Sequence, residues 1–466
     1  MPGYGRIKEL GRLRSILDRR EPQIVRVTGI RGGGKTRLIQ RVMTDYDGLY
    51  HRCPPLPDAA QHARLWERLE RARSGRGLSI VDVESRGDWG KLFASIANLA
   101  SEESRPFVLT LDDAHRLGEA RSRFVKPLVS ALGRAASEGR TVHAVLVGPE
   151  AGVTGEAAFS PHETETVRLG PLPFRIAAQH LPGNRPEDRL RAYSVFGGIP
   201  RVLSSVDKTL TVGTNVRRLL LDPSGALAEA ASIWLEQDLQ TPARYFAIMS
   251  VLSRGEAGWA AVHEGVPDLT KSGQLAPYLN RLGELGLITT RRSLDAGPRS
   301  RSARYAIADP LLAFWFRFVL PYRYLDGGDS ASEYYARAIR PAIDRHVEQV
   351  FPAVCRQHMS HDAIETVGAA VREGGSLWGA DYEIPVAGTL TSGAAYYGAC
   401  LWTAPSRGDA PLDQLERSVR ETRYGFGRER RIRLVFTGRP APRWVQRAVA
   451  RRHDAELIDA EALGGD

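Results

Sequence analysis

The segment Gly29-Ile30-Arg31-Gly32-Gly33-Gly34-Lys35-Thr36 follows the spacing Gly-x-x-x-x-Gly-Lys-Ser/Thr. Its chemistry is that of a phosphate cradle. Glycines leave backbone N–H groups bare, so the chain can close around phosphate oxygens, and a helix that starts just beyond turns its positive end toward the same anion. In such a loop Gly29, Gly32, Gly33 and Gly34 shape the turn, with Lys35, Thr36 and Arg37 following in the cradle. Lys35 reaches the β- and γ-phosphates, and the Thr36 hydroxyl helps to hold Mg²⁺. A glycine-rich strand-to-helix turn with a chance lysine is the competing reading. Against it stand the apolar run Ile24 to Val27 before the loop and the helical run Arg37 to Met43 after it.

A metal-dependent phosphate site needs acid as well. Pro106-Phe107-Val108-Leu109-Thr110-Leu111-Asp112-Asp113 supplies it as an apolar strand that ends in two carboxylates, expected beside the strand that carries the glycine loop. Asp112 is suited to hold Mg²⁺ through water and Asp113 to orient an attacking water. Asp113 is shorter than the glutamate more usual there, which predicts slow hydrolysis. Two solvated acids at a surface strand end remain the alternative. Together these residues imply ATP and Mg²⁺ as ligands.

The elements needed to position these groups are legible around them. Leu78 to Val83 and Thr141 to Gly148 read as further strands, and Trp89 to Leu99 as a helix, so strands and helices alternate as in a parallel sheet with crossover helices. No obvious polar residue ends the strand at Val147-Gly148, which leaves a γ-phosphate sensor unassigned.

At 466 residues the chain is too long for one core. Its most apolar stretch, Leu311 to Leu320, is short and carries Arg317, so no membrane partner is expected, and with no secretory pattern near Arg6, Lys8 and Glu9 a cytoplasmic location is. Three scattered cysteines, Cys53, Cys355 and Cys400, suggest neither a disulfide framework nor zinc. The net charge of +10 invites a DNA partner. Lysine is confined to Lys8, Lys35, Lys91, Lys126, Lys208 and Lys271 while arginine is abundant, so coding bias explains the charge equally well.

With these elements in place, the chain resembles the archaeal-type P-loop ATPases of the STAND class, AAA-like proteins that also occur in bacteria. Gly5-Arg6-Ile7-Lys8-Glu9-Leu10 is similar to that family's opening motif Gly-Arg-x-x-Glu-Leu, which implies that Arg6 lies near the nucleotide. Tyr193-Ser194-Val195-Phe196-Gly197-Gly198-Ile199-Pro200 resembles the Tyr-x-x-x-Gly-Gly-x-Pro signature of a helical lid, which implies that Pro200 approaches the base. Tyr305 to Phe318 resembles the strand and helix that close the family's winged-helix region. Without the resemblance, Gly197-Gly198 and Pro200 read as a helix break and a new helix start, and Phe314, Trp315, Phe316 and Phe318 as core.

Residues 240 to 310 also read as helix, helix, helix and two-stranded wing from pattern alone: Tyr245 to Leu252, Trp259 to Glu264, Ser272 to Leu285, then Gly286 to Thr290 and Arg304 to Ile307 around a tip at Asp295 to Arg301. Arg291, Arg292, Arg299 and Arg301 suit phosphate contacts; Lys271, Gln274 and Asn280 are the few base readers of the third helix. The family often adds a restriction-endonuclease-like domain. Here Glu348 is similar to its helix acid, but Glu383-Ile384-Pro385 has lost the strand aspartate and Gly398-Ala399-Cys400-Leu401 the glutamate and lysine, which implies a pseudo-nuclease. Arg423, Arg428, Arg430, Arg431 and Arg433 form a basic run that suits either a phosphate backbone or a solvated face.

The expected fold is therefore α/β: a P-loop NTPase parallel sheet (1–172), a helical lid (173–238), a winged-helix domain (239–325) and a C-terminal α/β restriction-endonuclease-like domain (326–466). The expected function is an ATP-dependent switch governing DNA or protein-partner binding and assembly, as a homo-oligomer or with another protein. An ATP-regulated DNA-processing nuclease and a non-hydrolysing ATP-binding scaffold are the alternatives.

Overall fold

The computed structural model describes residues 5–75, 87–100, 105–149, 164–230, 242–269, 271–297, 302–324, 328–403 and 410–464. The expected strand Leu78 to Val83, the wing-tip residues Arg299 and Arg301, and part of the lid lie outside them. The chain forms two compact units, Met1–Gly170 with Glu284–Gly286, and Pro171–Gly283 with Leu287–Asp466.

The first unit contains α1 (Ile7–Leu17), β1 (Ile24–Gly29), α2 (Lys35–Val42), β2 (Gly48–Arg52), α3 (Asp58–Ser74), α4 (Trp89–Ala97), β3 (Phe107–Asp112), α5 (Arg121–Ser137), β4 (Val142–Val147) and β5 (Thr164–Leu169). Its sheet runs β2-β3-β4-β1-β5, and every pairing is parallel. The sequence implies this burial: β3 and β4 are mostly apolar, and all of their residues, Thr110, Asp112 and His143 included, are buried, as a sheet covered on both faces requires. Alternate residues of β1 divide between the two faces. Val25 and Val27 pack with Leu13, Ile16, Leu38, Ile39 and Val42 from α1 and α2. Ile24 joins the opposite cluster, built with Leu65, Trp66, Phe93, Phe124 and Leu128 of α3, α4 and α5. Asp88 starts α4 by accepting the N–H groups of Gly90 and Lys91.

One expectation needs correction. The acid-bearing strand is not next to the glycine-loop strand, because β4 lies between β1 and β3. β2, a short run with no strong apolar alternation, forms an edge of the sheet in register with β3, so that Arg52 lies opposite Asp112.

The second unit starts with helices that include Pro186–Phe196 and Pro200–Leu203. The helices Pro242–Leu252, Trp259–Glu264 and Leu275–Glu284 follow, with a three-stranded sheet, β6-β8-β7, made of β6 (Ala257–Gly258), β7 (Ile288–Arg291) and β8 (Arg304–Ile307). Phe314, Trp315, Phe316 and Phe318 are all buried. A long helix, Ile343–Val367, then precedes a mixed sheet ordered β13-β12-β11-β10-β9. Its strands are β9 (Val371–Trp378), β10 (Glu383–Leu390), β11 (Ala395–Leu401), β12 (Arg431–Thr437) and β13 (Ala455–Ile458). β9, β10 and β11 are antiparallel; β11, β12 and β13 are parallel. No helix among the described residues is long and apolar enough to cross a membrane.

Candidate functional site

The glycine loop takes conformations that side chains resist. Gly29, Gly32 and Gly34 have φ of 138°, 77° and 93°, in the region that favours glycine. At Gly29 the restriction is doubled, since a Cβ would lie 2.1 Å from the Leu169 carbonyl oxygen on β5. Gly34 sits in the left-handed region immediately before α2, so the chain passes from the loop into the helix at Lys35. The Lys35 ammonium donates to the carbonyls of Gly29 and Ile30, both at 2.8 Å. Burial lowers its pKa to about 8, with Asp112 and Asp113 opposing that shift.

Arg6 serves the loop from behind. Its Nη2 donates to the Gly33 carbonyl at 3.0 Å and to the Gly170 carbonyl at 2.5 Å, while Nη1 pairs with Glu9 at 2.8 Å. The guanidinium therefore fixes the loop backbone through Gly33. Arg37, in the first turn of α2, is exposed.

Although β4 intervenes, α2 brings Thr36 to the end of β3. Thr36 Oγ1 donates to Asp112 Oδ2 at 2.8 Å. Asp112 is 1% exposed, and its Oδ1 accepts the Asp113 N–H at 2.9 Å. Tyr50 on β2 donates to the same Oδ2 at 2.7 Å; burial first, then this bond, raises the Tyr50 pKa and keeps the phenol a donor. Asp113 has φ of 56°, the one non-glycine positive φ among the described residues. That strained position turns its carboxylate toward Arg52 Nε at 2.9 Å and Arg116 Nη1 at 3.5 Å.

A bare-glycine cradle with a lysine inside, and a hydroxyl beside a buried carboxylate, fit a triphosphate with a hard divalent cation. Tyr50, Arg52 and Arg116 belong to this constellation and escaped the sequence. Only the β2–β3 register brings the first two there; the signal available was the acid pair, whose charge calls for partners.

Pro200 lies in the second unit, buried at the first position of its helix. The two signature segments around it meet: a Cβ on Gly197 would lie 2.8 Å from Asp309 Oδ2, and one on Gly198 2.0 Å from the Leu172 carbonyl. Asp309 caps the helix Pro310–Phe314 by accepting the Leu311 and Leu312 N–H groups. Burial pushes its carboxyl up to about 7 against those bonds.

Of the expected wing arginines, Arg291 is a correction, while Arg292 is exposed. Arg291 is engaged by Glu256 at 2.9 Å and by Ser376 Oγ at 3.0 Å. Arg304 pairs with Glu383 at 3.0 Å and lies 4.6 Å from the Trp378 ring centroid. The turn after β7 is bound as well: Ser293 Oγ accepts the Trp378 N–H, and Thr422 donates to Asp295 at 2.8 Å. These side chains hold the three-stranded sheet to β9 and β10 and are not free for phosphates. Lys271, Gln274 and Asn280 are exposed. Arg433 also departs from expectation: it is 7% exposed and paired with Glu416 at 3.0 Å, so it leaves the basic surface run.

In the C-terminal sheet Pro385 lies on β10, and its carbonyl accepts from Arg356 Nη1 at 2.7 Å. Ala399 and Leu401 lie on β11, and Glu348 accepts from Thr403 at 3.0 Å. Among the described residues no group of three or more His, Cys, Asp or Glu side chains could hold a metal ion.

Residues 2–147 match the family described as an AAA ATPase domain. The first unit thus carries a match to an AAA ATPase domain, in keeping with its glycine loop and parallel sheet. Residues 315–411 match a family of archaeal and bacterial proteins of unknown function. That pairing fits the archaeal-type STAND ATPases, to which the sequence motifs also correspond. The chain is 22% identical over 183 residues to the Methanocaldococcus jannaschii protein MJECL04, a match spanning 38% of this chain and only 41% of that relative. Among solved structures it is similar to the Walker-type ATPase PABY2304 of Pyrococcus abyssi (TM-score 0.48, 18% identity, 67% of this chain and 95% of that one). It also matches the STAND protein PH0952 of Pyrococcus horikoshii, which has a tetratricopeptide repeat sensor (TM-score 0.29, 15% identity, 77% of this chain and 50% of that one).

Proposed function

We propose that this protein is an ATP-dependent switch whose nucleotide state governs binding of DNA or a partner protein, and with it assembly. The observation that carries the reading is the Thr36–Asp112 hydrogen bond of 2.8 Å beside the glycine cradle. Gly29, Gly32, Gly33, Gly34, Lys35, Thr36 and Arg37 would hold the triphosphate, and Thr36 and Asp112 would hold Mg²⁺, which supplies charge neutralisation at the transferred phosphoryl group. Arg6 positions the loop. Asp113 would orient water, and its engagement by Arg52 and Arg116 supports slow turnover. That same engagement favours, as a second reading, a scaffold that binds ATP without hydrolysing it.

In the second unit we read a helical lid at 173–238 that includes Pro200, a winged helix at 239–325 and a restriction-endonuclease-like domain at 326–466. The commitments of Arg291 and Arg304 support a winged helix used for packing. Proline, alanine and leucine at positions 385, 399 and 401, with the Arg356 cation at the Pro385 carbonyl, support an inactive nuclease-like domain. Particle size with and without ATP and DNA tests the switch. Wild type should change with nucleotide while Lys35→Ala does not; an unchanged wild type in every condition overturns the reading.

A further inference from the structure

The chain between the helix Pro411–Glu421 and β12 holds one aromatic ring out into water. Phe426 is 84% exposed, more than any other large hydrophobic side chain among the described residues. A ring left in solvent forgoes about 2 kcal/mol of burial, so what keeps it there matters. The loop backbone is pinned on both sides. Tyr397 Oη donates to the Tyr424 carbonyl at 2.6 Å, Thr422 Oγ1 accepts the Tyr424 N–H at 3.1 Å, and Arg428 Nη1 donates to the Gly393 carbonyl at 2.7 Å. The glycines that flank the ring have φ of 71° and 79°. Gly425 is also a close approach, since a Cβ there would lie 2.4 Å from Tyr397 Oη. The ring is presented by a built turn.

Its surroundings are cationic. Arg423, Arg428 and Arg430 are exposed, and the half-buried Arg431 guanidinium lies 5.8 Å from the Phe426 ring centroid. None of the four is in an ion pair among the described residues, in contrast to Arg433 with Glu416. Glu421 and Glu429 are the exposed acids of the segment, so positive charge remains in excess. A protein-docking aromatic sits as a rule among apolar neighbours; the remaining exposed large hydrophobics, Ile7, Leu56, Tyr324 and Ile364, belong to other parts of the chain. A lone π-face within unpaired arginines matches what an unstacked base and its phosphates need. A duplex keeps its bases stacked and offers the ring no such face.

We propose that Phe426 is a base-stacking platform for single-stranded nucleic acid, with Arg423, Arg428, Arg430 and Arg431 following the backbone. The proposal deepens the nucleic-acid branch of the function above and gives it a location. Fluorescence anisotropy with a labelled single-stranded oligonucleotide of mixed sequence, and with its duplex, tests it on the full chain. Phe426→Ala should weaken single-strand binding about tenfold, Phe426→Tyr should restore it, and Phe426→Trp should show emission quenched on binding. Arg423→Ala with Arg430→Ala should flatten the salt dependence by about 1.4 in log–log slope. Equal single-strand affinity of wild type and Phe426→Ala overturns the proposal, as does a duplex preference that Phe426→Ala leaves intact. The same titration with and without ATP separates the two readings: if ATP changes nothing in wild type while Phe426→Ala weakens binding, nucleotide control of nucleic-acid binding fails and the platform stands.

Discussion

The parallel sheet of the first unit and the mixed sheet of the second are both α/β layers, yet their strands carry different chemistry. At the end of β3 the groups of the proposed site stand together: a buried Asp112, the Thr36 hydroxyl at 2.8 Å and the lysine of the loop. On β10 and β11 the corresponding positions carry Pro385, Ala399 and Leu401, and a guanidinium occupies the Pro385 carbonyl. The second sheet is held by packing of apolar residues such as Leu377, Ile384, Ala387 and Tyr397, so its architecture does not depend on carboxylates at those positions.

The comparison can be broken most directly at Asp113. If the first sheet is a working centre, Asp113→Asn should lower ATP turnover by about 100-fold, read by phosphate release at saturating ATP. Unchanged turnover removes Asp113 from the chemistry, and no turnover in wild type favours the scaffold.

A smaller effect is expected from pH. With the Lys35 pKa lowered to about 8, the uncharged amine dominates above that pH and ATP binding favours the ammonium. Affinity should therefore be level below pH 8 and fall above it, by at most about tenfold per pH unit; Lys35→Arg should abolish the bend. The folding linkage has its own sign: since the folded pKa lies below the unfolded value, the penalty for holding a charged Lys35 is fully present below pH 8. It is relieved as pH rises through the folded and then the unfolded pKa. The smallest effect belongs to the other sheet, where Glu348→Ala should leave DNA intact in Mg²⁺ or Mn²⁺, as wild type does. Cleavage by wild type that survives Lys35→Ala and vanishes with Glu348→Ala would make the two sheets chemical equals.

Much of the first site was legible because its residues are contiguous. Gly29 to Thr36 and Phe107 to Asp113 each declare their element and their chemistry within a short run. Tyr50 and Arg52 were not, since β2 has little apolar alternation and its place is decided by pairing with β3. Arg291 failed as a wing cation for a related reason: it looks like a free cation along the chain, and only tertiary packing gives it Glu256 and Ser376. Phe426 carried no sequence signal apart from its two glycines and nearby arginines, because exposure is a property of the folded loop.

The sequence by itself determined the glycine loop with its lysine, the acid pair, and proline, alanine and leucine at positions 385, 399 and 401, since each depends on which atoms a residue carries and on spacing of a few residues. The tertiary structure decided that β4 separates β1 from β3, that Asp113 is held by two arginines in a strained backbone, and that Arg433 is buried while Arg423, Arg428 and Arg430 stay exposed. Those are long-range facts, fixed by sheet order and by which charges find partners, and no local spacing encodes them.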